Sequence, residues 1–169
     1  MNYIESIKLH KDGNYQVIVE VLKNTRDKTE LLANEFNHLE KVFEVKYKYP
    51  YYYGSFPETL ADDGDPLDFI LVSDKKYNYL DIIEIEPIAM IKTIDENKGD
   101  YKILVKDKNE NLKHINKRIK SILSFLNKCT KNNNTIIDNN IYDKEKAIEQ
   151  IEHCYKLYKI NKEQIIKTF

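Results

Sequence analysis

Cysteine is scarce in this chain: Cys129 and Cys154 are the only two among 169 residues. Two thiols do not build a disulfide framework, and these lack the paired Cys/His spacing of a zinc site. Net charge is as sparse, −1 at pH 7 from 27 basic and 28 acidic side chains. Nothing therefore draws the whole molecule to nucleic acid or to an anionic membrane, and any anion site must be local. Apolar runs end at about four residues, as in Phe69 to Val72, against the roughly 20 of a membrane-spanning helix. The stretch from Met1 to Asn14 is polar and charged, without the apolar region of a signal peptide. A cytoplasmic location is the expectation. What remains is a 41% hydrophobic, 33% charged chain, long enough for one domain over residues 1–169 with its own core.

The stretch Asp62-Asp63-Gly64-Asp65-Pro66-Leu67-Asp68 carries the strongest chemical signal. It places Asp63, Asp65 and Asp68 close together and runs into the apolar Phe69-Ile70-Leu71-Val72. Gly64 allows a backbone turn and Pro66 fixes its own φ, so a bend that gathers the three carboxylates is expected. Clustered carboxylates repel one another unless a cation sits among them, and hard divalent ions such as Mg²⁺ or Mn²⁺ take oxygen ligands. A solvated acidic loop is the plainer reading of the same residues. A calcium EF-hand loop fits poorly, because its sixth position needs Gly where this chain has Asp68 and no Glu stands at the twelfth.

Upstream, Tyr15 to Leu22 alternates as a strand, with Glu20 either exposed at an edge or pointed at something positive. Lys28 and Glu30 share one side of a short extended piece, Lys28 to Leu32. A second alternating strand is expected from Leu39 to Tyr49, with Leu39, Phe43, Val45 and Tyr47 on one face. Lys41 lies with them, so it either snorkels near the strand end or meets an anion. Tyr49-Pro50-Tyr51-Tyr52-Tyr53-Gly54 reads as a loop packed with phenols, groups that fill a core or donate to a phosphate oxygen.

Downstream, Tyr79–Glu86 and Ile88–Ile94 read as consecutive strands divided by Pro87. The turn Asp95 to Asp100 and the strand Tyr101–Val105 complete a hairpin that adds Asp95, Asp100 and Lys102. Helical periodicity then places Ile115, Ile119, Ile122, Leu123 and Leu126 on one face of a helix over about 116–128. An asparagine-rich connector follows over 131–140, and Asp143 is placed to cap a last helix facing inward through Ala147, Ile148, Ile151, Cys154, Tyr155 and Tyr158. Strands first and helices last give an α+β class with a closed or nearly closed sheet.

Taken together, these signals resemble one family. Asp63-Gly64-Asp65-Pro66-Leu67-Asp68 is similar to the signature of the soluble family I inorganic pyrophosphatases. Glu20, Lys28, Glu30, Tyr49-Pro50, Tyr53-Gly54, Asp95, Asp100 and Lys102 follow the same family in order and spacing. The resemblance implies a five-stranded OB-like β-barrel with two packed α-helices. It implies hydrolysis of pyrophosphate to two orthophosphates with several Mg²⁺ ions, Mn²⁺ or another divalent ion being an alternative. On that resemblance Asp63, Asp68 and Asp100 would hold the tightest metal, and Asp68 would also reach a second. Asp95 and Asp100 would serve a third, Glu30 would touch a further ion, and Glu20 would orient water at the metals. Asp65 would accept the proton of the attacking water. Lys28, Tyr53 and Lys102 would contact phosphate oxygens, and Lys41 would stand in for a family arginine, with loss of the bidentate fork.

One departure is larger. The family carries a Tyr-Lys pair late in its first helix where this chain has Cys129-Thr130, flanked by Lys128 and Lys131. That leaves open an alternative: a catalytically weak or inactive relative that binds pyrophosphate or a nucleotide, or acts as a scaffold. An OB-type nucleic-acid module stacking bases on tyrosines is a further alternative, disfavoured by the missing basic groove. Pyrophosphate is the expected small-molecule partner, with no nucleic acid and no membrane. A homo-oligomer is expected, a hexamer by family analogy.

Overall fold

The alternating segments do close on one another. The computed structural model describes residues 6–31, 39–131 and 133–168. Its strands, in chain order, are β1 (His10–Lys11), β2 (Asn14–Val21), β3 (Asp27–Leu31), β4 (Leu39–Glu44), β5 (Tyr52–Ser55), β6 (Asp68–Leu71), β7 (Ile82–Asp95), β8 (Lys98–Gly99), β9 (Lys102–Asp107) and β10 (Ile136–Tyr142). Two helices, α1 (Ile115–Thr130) and α2 (Lys144–Thr168), complete the described elements. Strands β2, β5, β6, β9 and β7 are neighbours in that order, and β7 pairs back onto β2, so five strands form a closed ring. All the ring pairings are antiparallel except β6 with β9. Strands β3 and β4 form a separate two-stranded ribbon. The expected α+β ring with two helices is the architecture observed.

Period-two alternation explains how short strands serve two cores. Phe69, Leu71, Ile103 and Val105 pack with Ala147, Ile151 and Cys154 of α2. The intervening Ile70, Val72 and Leu104 pack with Ile119 and Ile122 of α1. Strand β2 is buried from Gln16 through Val21. Each fully buried Phe, Leu or Ile contributes about 1.5–3 kcal/mol relative to an exposed one, and Phe56, Phe69, Leu9 and Leu67 are among those in that state. Helix α2 starts as its sequence predicts: Asp143 Oδ1 accepts the Lys146 N–H at 3.0 Å, a cap contributing about 1 kcal/mol.

Five local expectations are corrected. Tyr52–Ser55 is no loop but a strand inside the ring, between β2 and β6. Pro87 does not divide two strands, because β7 runs through it and its pairing with β9 shifts register between Pro87 and Ala89; a bulge absorbs a residue with no N–H to give. Strand β4 stops at Glu44, short of Tyr49. Helix α1 is longer than the periodicity shows, by a residue at its start and two at its end. The asparagine-rich connector runs into β10, an antiparallel partner of β7 whose side chains are partly buried or exposed and so leave little alternation to read. Leu32, expected in an extended piece, lies outside the described residues.

Candidate active site

Register on the ring assembles the site. Ser55, Asp68 and Lys102 are direct neighbours across β5, β6 and β9. In the middle sits the Lys102 ammonium. It donates to Asp68, to Asp100 Oδ1 at 2.8 Å and to the Tyr53 hydroxyl at 2.8 Å. The Tyr53 hydroxyl in turn donates to Asp68 Oδ2 at 2.5 Å. Lys28, from β3, lies over the Tyr53 ring 4.5 Å from its centroid, and Lys102 lies 5.4 Å from the same centroid. Glu20 is buried beside them: Ser55 Oγ donates to it, and the Leu31 N–H reaches Glu20 Oε2 at 3.4 Å.

The charges shift as burial and neighbours require. Burial pushes Asp68 up, but the ammonium of Lys102, the Tyr53 hydroxyl and Lys28 together hold it below the usual carboxylate range. Asp100 is pushed up to about 6 by burial, with Lys102 opposing and Asp68 adding to the rise. Burial likewise raises Asp63, and repulsion from Asp65 and Asp68 adds to the shift against the pull of the Asp65 N–H. Tyr53 stays a phenol, held far above its ordinary pKa by burial and by Asp68 and Asp100. Lys102 resists the lowering effect of burial because both aspartates face it, and it is held above its ordinary value.

Glu20 is pushed up to about 7 by burial, against the opposing pull of Ser55 and Lys28. A carboxyl whose folded pKa exceeds its unfolded value of 4.5 favours the fold below that lower value. It loses that contribution as pH rises through the folded one. Glu20→Gln keeps an acceptor for Ser55 and has no charge to bury. In chelator it is expected to raise the melting temperature at pH 8 by roughly 5 °C and to give no gain near pH 4. An equal gain at both pH values would show that ionisation of Glu20 is not the cause.

The acidic loop has the expected bend. Ala61 N–H donates to the Asp65 carbonyl at 2.8 Å, and Asp65 N–H donates to Asp63 Oδ1 at 3.0 Å. Gly64 adopts φ +90°, the region where a side chain is strained. Asp63 faces Asp68 and Lys102 electrostatically, while Asp65 is exposed at the loop.

Of the residues singled out from sequence, the structure brings together Glu20, Lys28, Tyr53, Asp68, Asp100 and Lys102, with the Asp63–Asp65 loop beside them. Glu30 reaches Lys28 at 3.8 Å but is about half exposed. Asp95 sits at the end of β7 and accepts from Thr135 at 3.3 Å. Lys41 is a correction. It is half exposed and pairs with Asp27 at 3.1 Å and Glu44 at 3.7 Å. The β3–β4 register shifts between Lys28 and Thr29, so Phe43 stands opposite Lys28 and Lys41 opposite Thr29. That slip turns Phe43, not Lys41, toward the cavity.

The cavity, about 770 Å³, is lined by Tyr53 and Lys102 on the ring, by Lys28 of β3, by Phe43, Lys46 and Tyr47, and by Lys128 to Lys131 at the end of α1. Ser55, Lys46 and Tyr47 were not legible as site residues. Ser55 carries no charge, and Lys46 and Tyr47 follow β4 in irregular chain.

Among the described residues no three Asp, Glu, His or Cys side chains are gathered as a ready metal cage. The donor chemistry nonetheless fits a hard divalent cation: every candidate ligand is a carboxylate oxygen, and Asp63 and Asp100 are each raised partly by repulsion from Asp68 that added positive charge would relieve.

Known proteins share both sequence and fold. An inorganic pyrophosphatase from a Nostoc species is 36% identical over 107 residues, 62% of this chain and 63% of that protein. One from a Synechocystis species is 38% identical over 96 residues, 56% of each chain. The matched stretch thus spans less than two thirds of these relatives. The crystal structure of the type I inorganic pyrophosphatase from P. falciparum superposes with a TM-score of 0.88 at 20% identity, covering 99% of this chain and 66% of that one. That from Thermus thermophilus gives 0.81 at 22% identity, covering 92% and 98%. These two show the fold. The model of the inorganic pyrophosphatase family matches residues 17–159, most of the chain and every strand of the ring but the first residues of β2, and the chain belongs to that family.

Proposed function

We propose that the chain hydrolyses inorganic pyrophosphate to two orthophosphates with the help of divalent cations, Mg²⁺ first among them. The observation that carries this is the Asp68–Lys102–Asp100 cluster, hydrogen-bonded to Tyr53 and flanked by Lys28 at one wall of the cavity. Acids for cations and lysines for phosphate oxygens share one site. Phosphoryl transfer asks for little covalent chemistry from the protein and much positioning and positive charge.

Asp63, Asp68 and Asp100 would hold the cations, with Asp95, Glu30 and Glu20 as further oxygen donors. Bound divalent ions supply charge neutralisation at the phosphoryl oxygens and acidify water. The chain's own residues do the rest. Lys28, Lys102 and the Tyr53 hydroxyl hold phosphate oxygens. Glu20, buried and bonded to Ser55, orients water. The Asp65 carboxylate, exposed at the loop, takes the proton of the attacking water. A homo-oligomer, hexameric by family resemblance, and a cytoplasmic location belong to the same proposal; sedimentation tests the first.

The direct test is orthophosphate release from pyrophosphate, followed by ³¹P NMR with Mg²⁺ and with excess chelator. Release that stops in chelator supports the proposal. Protein that binds Mg²⁺ and pyrophosphate yet releases nothing would make the site a binding site.

A further inference from the structure

Two lysine–tyrosine–lysine arrangements line the same cavity, and only one is accounted for. In the first, Lys28 and Lys102 lie over Tyr53, and their charge is met by Glu30, Asp68 and Asp100. In the second, Lys128 lies 3.9 Å from the centroid of the Tyr47 ring and Lys46 lies 5.4 Å from it. Among the described residues neither Lys46 nor Lys128 has an ion pair.

We propose that Lys46 and Lys128, held on the Tyr47 ring, form a second anion subsite that takes a phosphoryl group of the substrate away from the Asp68–Lys102 cluster. This rests on the phosphoanhydride reading above.

Three observations support it. Two ammonium groups on one ring repel, and each cation–π contact returns only about 0.5–1 kcal/mol at an exposed site; an oxyanion between them supplies the missing counter-charge. Lys128 stands in the last turn of α1, where the carbonyl end of the helix favours positive charge. The end of α1 also lines the same cavity as Lys102, the ammonium at the centre of the acid cluster. Thr130, by contrast, is not offered to a ligand: its hydroxyl donates to the Leu126 carbonyl at 2.9 Å within the helix. The lysine beside Cys129-Thr130 therefore supplies the grip, as a point charge rather than a fork. A cavity of about 770 Å³ has room for more than one phosphoryl position.

The phosphoryl group has two sources, the second phosphate of pyrophosphate or the third of tripolyphosphate. Calorimetric binding of methylenediphosphonate and of tripolyphosphate, with Mg²⁺, separates them. Lys46→Ala and Lys128→Ala are each expected to weaken binding about tenfold, as for a lost charge-assisted contact. For pyrophosphate hydrolysis KM should rise similarly while kcat changes less than about threefold. Lys128→Arg should restore most of the affinity. Lys120→Ala, exposed on the same helix and outside the cavity, should change nothing. Weakening of both ligands assigns the subsite to pyrophosphate itself; weakening of tripolyphosphate alone assigns it to a third phosphate. A Lys46→Ala/Lys128→Ala double variant that binds both ligands within twofold of the parent overturns the proposal, as does a loss that Lys128→Arg does not restore and that tracks a lowered melting temperature. Wild-type protein that releases no phosphate while the double variant loses diphosphonate affinity would remove the hydrolytic reading and keep the subsite. Hydrolysis that persists in a double variant whose affinity for both ligands is unchanged would do the reverse.

Discussion

Asp65→Asn is expected to leave the protein folded and to lower kcat for pyrophosphate by about two to four orders of magnitude, the range of a lost general base. The structure makes this a clean substitution. The contacts made by Asp65 are through its backbone: its N–H donates to Asp63 Oδ1 at 3.0 Å and its carbonyl accepts from Ala61 at 2.8 Å. Asparagine keeps both and fills the same volume. The carboxylate is exposed, and its replacement by an amide also relieves the repulsion that helps to raise Asp63. What disappears is a proton acceptor, so KM should stay within a few-fold while turnover collapses. Phosphate release at saturating pyrophosphate, together with a melting curve, decides the matter. A variant that keeps a tenth or more of the activity would move the base elsewhere, with Glu20 the next carboxylate to test.

Gly54→Ala is expected to damage the fold itself. Gly54 sits in β5 with β2 on one side and β6 on the other. A Cβ there would lie 2.1 Å from the Ile18 carbonyl oxygen, 2.9 Å from Phe69 Cε1 and 3.0 Å from the Glu20 nitrogen. The first and last are backbone atoms of a buried strand, which cannot swing away as a side-chain tip would. The ring must open at β2–β5, at a cost of about 3 kcal/mol or more, and Glu20 and Ser55 move with it. Urea unfolding should show a lowered midpoint at unchanged slope, or the variant should fail to accumulate as soluble protein. Gly64→Ala provides the contrast. No atom lies within 4 Å of its added carbon, and only the positive φ of +90° opposes it, at about 1–2 kcal/mol. If Gly64→Ala proved the more damaging of the two, the close approach at Gly54 would not be the constraint described.

These two glycines also show where sequence reasoning stops. Gly64 reads correctly as a turn residue because Asp-Gly-Asp-Pro states its local conformation. Gly54 invites the same reading after Tyr-Tyr-Tyr, yet its reason is a neighbouring strand that no local pattern names. The chemistry of the site was largely legible: Glu20, Lys28, Tyr53, Asp68, Asp100 and Lys102 are charged or phenolic residues at characteristic separations, and the ring brings them together. Lys41 was misplaced for a definable cause. Alternation puts positions 41 and 43 on one face, and the one-residue slip between Lys28 and Thr29 separates them. Strand β10 escaped notice because its side chains are exposed or only partly buried, so packing left little imprint on their order. Asp143 and α2 were plain because a cap and a 3.6-residue stripe are properties of the segment alone.

The ammonium of Lys102 lies among the acids of the site, which has a bearing on the order of events in the cell. A nascent chain that brings Asp68 and Asp100 together carries its own organic cation to the meeting point. On the proposed reading of the site, the ring can close before cations arrive, and loading is an exchange carried out on a finished scaffold. Under the proposed cation dependence, protein stripped by chelator should keep its fold and regain activity when Mg²⁺ is returned.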